Sequence, residues 1–230
     1  GSGMDSFPYS RLESAVCYTV DGEREGEVEI ECFNAATVEV NVKGVSIHLG
    51  SARGIMVNAV TVASHIVTAL PQAESPEATD GRYGYYCPLL LQGTGTEARL
   101  QIFIRDFDMD RFERRIEAVK KIVGAVEALY GGEAKAEVSV SYHNMAEANK
   151  KNPGATEAVY VASRKLGLNI SEAIIRGGTD GARLAETGVA CPNLYTGGHN
   201  LHSLKEWIGV DAMNHSINLC LGIVDYWSER

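Results

Sequence analysis

The chain has 230 residues, with 21 Lys and Arg against 30 Asp and Glu and a formal net charge of −9. With 45% hydrophobic and 22% charged residues, it can bury a real core, and composition excludes a disordered chain. The acidic balance argues against a nucleic-acid partner, which needs dense Lys and Arg. The length suits one large or two modest domains. No apolar run is long enough to cross a membrane, and no basic-then-apolar leader is seen, so the expected setting is the cytoplasm. Gly1-Ser2-Gly3-Met4 reads as a tag remnant followed by a start Met and is left out of the fold reasoning. Cys17, Cys32, Cys87, Cys191 and Cys220 are widely spaced and form no Cys-x-x-Cys pair, so they support neither a zinc knuckle nor a redox motif. They are expected to be buried free thiols.

Residues 15–20 form a short apolar run ending at Asp21-Gly22, a buried strand followed by a turn. Residues 28–42 alternate through Val28, Ile30, Cys32, Val38, Val40 and Val42, which predicts a half-buried strand pair or one long bent strand. The stretch from Gly44 to Gly50 is a loop around His48. Helical spacing runs through 54–70 until Pro71 stops it. Residues 71–84 read as an exposed loop, followed by strands near 85–92 and 97–105. An amphipathic helix is predicted over 109–130, with Phe112, Ile116, Val119, Val123 and Val126 on one face and Gly131-Gly132 at its end. A strand at 136–142 completes strand, helix, strand, strand, helix, strand, the pattern of a ferredoxin-like α+β unit. Beyond Pro153 the spacing predicts helices over 154–166, 181–187 and 210–227, with glycine-rich turns at 176–181 and 197–203.

Three segments carry more Gly, His, Asp and Arg than ordinary loops need. In Tyr18-Thr19-Val20-Asp21-Gly22, an Asp at a strand end is rigidly placed for a ligand, although a turn Asp has the same look. Arg176-Gly177-Gly178-Thr179-Asp180-Gly181 combines close backbone approach with a planar fork for a carboxylate. Its spacing is not that of a phosphate-binding loop. In Gly197-Gly198-His199-Asn200-Leu201-His202, imidazole nitrogens offer metal ligands.

In this order, the three segments resemble the peptidase T family, tripeptide aminopeptidases of the two-zinc aminoacylase/carboxypeptidase superfamily. The likeness also runs through Cys32-Phe33-Asn34-Ala35-Ala36, Gly44 to Gly50, Met56 to Ala59, Ile104-Arg105-Asp106 and Cys191 to His202. It covers the chain from about residue 15 onward. The implied fold is α/β: a partial catalytic domain, residues 1–27 and 139–230, with an inserted α+β lid and dimerisation domain at 28–138.

The resemblance implies roles for six residues. Asp21 would ligate one zinc ion and His202 the other. His48 would reach a partner subunit's site and hydrogen-bond the oxyanion of the tetrahedral intermediate. Arg176 would bind the peptide carboxylate, with Asn34 and Arg105 lining the cleft. Departures from the family pattern are Leu49 after His48, Phe107 after Arg105-Asp106, and Ser203 after His202. The family's His-x-Asp, bridging Asp and Glu-Glu elements have no counterpart in this sequence. A catalytic zinc needs about three protein ligands. The expectation is therefore the C-terminal portion of a zinc tripeptide aminopeptidase, inactive alone, with a peptide substrate if completed. The chain is also expected to be a homo-oligomer, through the lid or through surfaces the absent segment would cover. The alternative is a non-catalytic dimerisation or interaction protein, and a third reading is a stand-alone hydrolase with a rebuilt site using His143, His199 and His202 with Asp180.

Overall fold

The structure, a computed structural model, describes Met4 and residues 6–230. In chain order its elements are β1 (Thr19–Gly22), β2 (Glu27–Cys32), β3 (Asn34–Lys43), α1 (Ala59–Ala69), β4 (Tyr85–Gly93), β5 (Glu97–Asp106), α2 (Met109–Tyr130) and β6 (Glu133–Tyr142). They continue with α3 (Ala146–Lys151), α4 (Gly154–Lys165), β7 (Ser171–Ile175), α5 (Asp180–Ala185), β8 (Asn193–Tyr195), β9 (Gly198–His199), β10 (Trp207–Ile208) and α6 (Val210–Ser228). The chain divides into two compact units, one of Gly1–Cys32 with Tyr142–Arg230 and one of Phe33–Ser141. The sequence reading drew the inserted part at 28–138. The units divide at 32/33 because β2 pairs with β7 and β8 and so belongs to the first unit.

The alternating run at 28–42 is therefore two strands in two different sheets. Phe33 stands at the break, fully buried, its ring 4.3 Å from that of Phe107.

In the inserted unit the sheet order is β4-β5-β3-β6, the ferredoxin-like order that the element pattern implies. Strand alternation sends Ala36, Val38, Val40 and Val42 of β3 and Ala98, Leu100, Ile102 and Ile104 of β5 into one core. Helices α1 and α2 cover that face with Ala59, Val62, Ala63 and Ile66, and with Phe112, Ile116, Val119, Val123 and Val126. The first helix is shorter than the 54–70 spacing suggests. Val57 is tied to Val45 in a bridge, and Asn58 caps the helix by accepting from Thr61 N at 3.2 Å. Asp108 caps α2 in the same way, accepting from Arg111 N at 2.8 Å.

The first unit has a mixed sheet in the order β1-β8-β2-β7. Helices α4 and α6 pack on it through Val28, Ala158, Ala162, Leu194, Leu219, Ile223 and Tyr226. Small residues bring these helices close: a Cβ on Gly222 would lie 3.0 Å from the Cβ of Ala162. Strand β7 and helix α3 were not foreseen. Both are short, and neither carries a decisive apolar period. Met4, left out of the fold reasoning above, packs with Leu184 and Cys191. Gly1 to Gly3 lie outside the described residues.

Candidate functional site

Asp21 is the exposed third residue of β1. Its backbone N–H donates to Asn193 Oδ1 at 3.1 Å, which fixes the strand end against β8. The buried Asn193 side chain also donates from Nδ2 to Glu29 Oε2 at 2.5 Å. The carboxyl of Glu29 is pushed up to about 7, chiefly by burial, with the charges of Glu27, Asp21 and Glu23 adding to the rise against the opposing Asn193 hydrogen bond. Asn193 and Glu29 are thus part of the surroundings of Asp21, which sequence reasoning missed. The available signals were an Asn inside the apolar Cys191–Tyr195 run and a Glu at every second position of β2.

The loop from Arg176 to Gly181 leaves β7 and is held beside β1. Thr19 Oγ1 and Thr179 Oγ1 are 3.3 Å apart, and Thr179 also accepts from Gly181 N at 2.8 Å. Gly178 is required by close approach, since a Cβ there would sit 2.2 Å from Tyr142 Cζ. Arg176 is half-buried at the mouth of this loop.

The histidine loop begins at Gly197, whose φ of +81° and 2.6 Å approach to the Cβ of Ala212 admit no side chain. His199 pairs with Trp207 across the β9–β10 ribbon and stacks on its ring at 4.3 Å. His202 is exposed, adopts φ +62°, and its N–H donates to Glu206 Oε2 at 3.0 Å.

In the inserted unit, His48 is exposed and Gly50 N donates to its Nδ1 at 3.1 Å. That bond assigns the ring proton to Nε2, which leaves a hydrogen-bond donor facing away from the turn. Asn34 and Arg105 meet at the other end of the β3–β5 pair, where Asn34 faces Asp106 and Ala35 faces Arg105. Asn34 is fully buried and donates to the carbonyls of Asp106 and Phe107 at 3.0 and 3.2 Å. Arg105 Nη1 donates to the carbonyls of Ala36 and Ile104, and its guanidinium lies 5.0 Å over the Phe103 ring. The length of β3, about 30 Å for its span, separates this pair from His48. Asp106 anchors the same corner, fully buried, 3.2 Å from Arg111 Nε and 2.8 Å from Arg115 Nε.

Among the described residues, no group of three or more His, Cys, Asp or Glu side chains could hold a metal ion. The set His143, His199, His202 and Asp180 is not such a group, so the rebuilt stand-alone site has no geometric basis. Asp21 and His202 fall short of the roughly three ligands a catalytic zinc requires, and the residues present do not by themselves fit the metal site the fold family implies. The cysteines are free thiols: Cys32 and Cys191 are buried and the other three half-buried. Burial pushes Cys32 and Cys191 up to about 12, far from nucleophilic thiols. No helix among the described residues is long and apolar enough to cross a membrane.

The fold is a mixed α/β unit into which a ferredoxin-like α+β unit is inserted. Residues 30–132 match the peptidase dimerisation domain family. The chain is homologous along its whole length to peptidase T. It is 38% identical over 230 residues to peptidase T of Clostridium novyi, covering all of this chain and 56% of that protein. Among solved structures, a tripeptidase from Staphylococcus aureus superposes with a TM-score of 0.86 at 17% identity, over 99% of this chain and 61% of that one. A dinuclear metal-binding peptidase of Bacillus subtilis shares the fold with a TM-score of 0.61 at 13% identity, over 89% of this chain and 54% of its own. The chain thus spans about half the length of the curated relatives it matches.

Proposed function

We propose that this chain is the C-terminal portion of a cytoplasmic, zinc-dependent tripeptide aminopeptidase, which removes the N-terminal residue of tripeptides once the rest of the fold is supplied. The observation that carries this reading is the unbroken 38% identity to peptidase T from one end of the chain to the other. In it, Asp21 and His202 each contribute one ligand to a metal pair whose other ligands lie outside this sequence. His48 offers its Nε2 proton to the developing oxyanion, which agrees with the tautomer that Gly50 N assigns. Arg176 takes the peptide carboxylate in its planar fork, and Asn34 and Arg105 shape the cleft by holding the strand ends. No hydrolytic step is assigned to the residues of this chain alone.

The test is complementation. The chain is mixed, with zinc, with the N-terminal segment of Clostridium novyi peptidase T that lies outside the alignment, and tripeptide cleavage is followed. The expected result is cleavage by the mixture and none by either part. A folded complex that cleaves no tripeptide overturns the reading.

A second reading is a non-catalytic dimerisation module. The match of residues 30–132 to the dimerisation family favours it. It requires a homo-oligomer joined through the inserted unit, and a monomer at all concentrations in sedimentation removes it.

A further inference from the structure

Helix α6 is apolar on two faces. One face, Ser216, Leu219, Ile223 and Tyr226, is buried and belongs with α4 and the sheet. The other carries Val210, Met213, Ile217, Leu221 and Val224 at helical spacing, with 71%, 43%, 51%, 59% and 64% of their surfaces exposed. Between these faces runs a polar strip of Asp211, Asn214, His215, Asn218 and Asp225, where His215 Nδ1 lies 2.6 Å from Glu25 Oε1, while the outer stripe itself carries no Asp, Glu, Lys, Arg or His. The stripe is about 21 Å long. Just before it the chain exposes Leu201, Leu204, Trp207 and Ile208. Among the described residues of this unit, every exposed large hydrophobic except Val20 and Leu166 lies between Leu201 and Trp227. A helix with a second apolar face left uncovered belongs inside a larger fold, and an unpartnered stripe of this size marks a contact surface.

We infer that the outer face of α6, from Val210 to Val224, is the docking surface for the part of the peptidase fold that the relatives carry and this chain does not. The inference rests on the reading proposed above and names its partner surface. Its occupant is set by the two comparisons together. Nearly the whole of this chain superposes on 61% of the Staphylococcus aureus tripeptidase, so a further two-fifths or so of that fold has its surface to bury. The outer stripe, without an ionisable side chain, fits an obligate apolar interface of that kind better than a soluble, transient one.

The test uses the full chain and the same N-terminal segment of Clostridium novyi peptidase T, co-expressed, with co-elution and titration as readouts that need neither metal nor turnover. Wild-type chain should retain the segment. The double variant Ile217→Glu, Leu221→Glu places two charges on the stripe and should weaken binding by about a hundredfold. Both side chains already face solvent, so circular dichroism and the melting curve of the variant alone should match wild type. Asn218→Glu, on the polar strip of the same helix, should leave binding unchanged. Binding that survives the double variant, or no binding by wild type, overturns the inference. So does a wild-type homodimer that the double variant dissolves, because the stripe would then serve a second copy. A complex that forms, breaks with the double variant, and still cleaves no tripeptide keeps the docking surface and removes the peptidase reading.

Discussion

Helices α2 and α6 are comparable in length, at 22 and 19 residues, but they tell different stories about their units. Between its termini, α2 has one apolar stripe, and it turns Glu113, Arg114, Glu117, Lys120 and Lys121 to solvent, as a surface helix over a finished core should. Helix α6 spends one apolar face on α4 and its sheet and shows a second to solvent. The inserted unit lays two helices over one sheet face, and its exposed large hydrophobics, among them Leu89, Leu91, Val138 and Val140, lie on strands and loops or at the ends of α2. In the other unit they gather on and just before one helix. The two units thus differ in where apolar surface is shown, and only α6 shows it as a continuous helical stripe.

The largest expected effect on that contrast comes from the lock of the inserted unit. Asp106 is fully buried, holds Arg111 and Arg115, and accepts from Asp108 N at 3.0 Å. Arg115 in turn pairs with Glu74 and lies 4.9 Å over the Tyr86 ring, so one carboxylate ties the 71–84 loop to α2. Asp106→Ala should cost about 2–3 kcal/mol, because it removes the buried acceptor of Asp108 N and leaves Arg115 with only the partly exposed Glu74 as partner. Urea unfolding followed by circular dichroism measures it. A loss below about 1 kcal/mol would mean that solvent already screens the network.

Much of this architecture is legible in the sequence because its signals are local and redundant. The α2 periodicity, its Asp108 cap and its Gly131 stop agree with one another, and the inserted unit follows from the order of such elements. The break at Phe33 was not legible. Alternation continues across it, and only the pairing of β2 with β7, far along the chain, assigns the two halves to different sheets. The site divides in the same way. Asp21, Arg176 and His202 stand in loops whose composition is unusual on its face. Asn193 and Glu29 matter because β8 and β2 are neighbours, which no local pattern encodes.

Glu29 gives a smaller, pH-dependent contrast between the units. Its folded-state value of about 7 lies above the ordinary value of 4.5, so from pH 4.5 to 7 the native chain holds a proton that the unfolded chain has released. Stability therefore falls as pH rises through that window. Glu29→Gln keeps an oxygen to accept from Asn193 and removes the charge. It should leave stability unchanged at pH 4 and raise it at pH 8. Solvent at this half-buried group limits the gain to about 1 kcal/mol, a Tm increase of about 2–4 °C. Paired melts at the two pH values test it, and an equal effect at both would assign the change to packing rather than titration.

The smallest expected effect separates the helices most directly. Leu221→Gln exchanges an exposed apolar side chain on α6 for a polar one of similar helix propensity. With 59% of Leu221 already in solvent, the chain alone should change by less than about 0.5 kcal/mol in urea. The matching change on α2, Ile116→Gln, strikes a buried position and should cost several times more through lost burial and an amide left without partners. If Leu221→Gln instead destabilised the isolated chain by about 2 kcal/mol, the α6 stripe would already be packed within this chain or against a copy of it, and the difference between the outward faces of α2 and α6 would vanish.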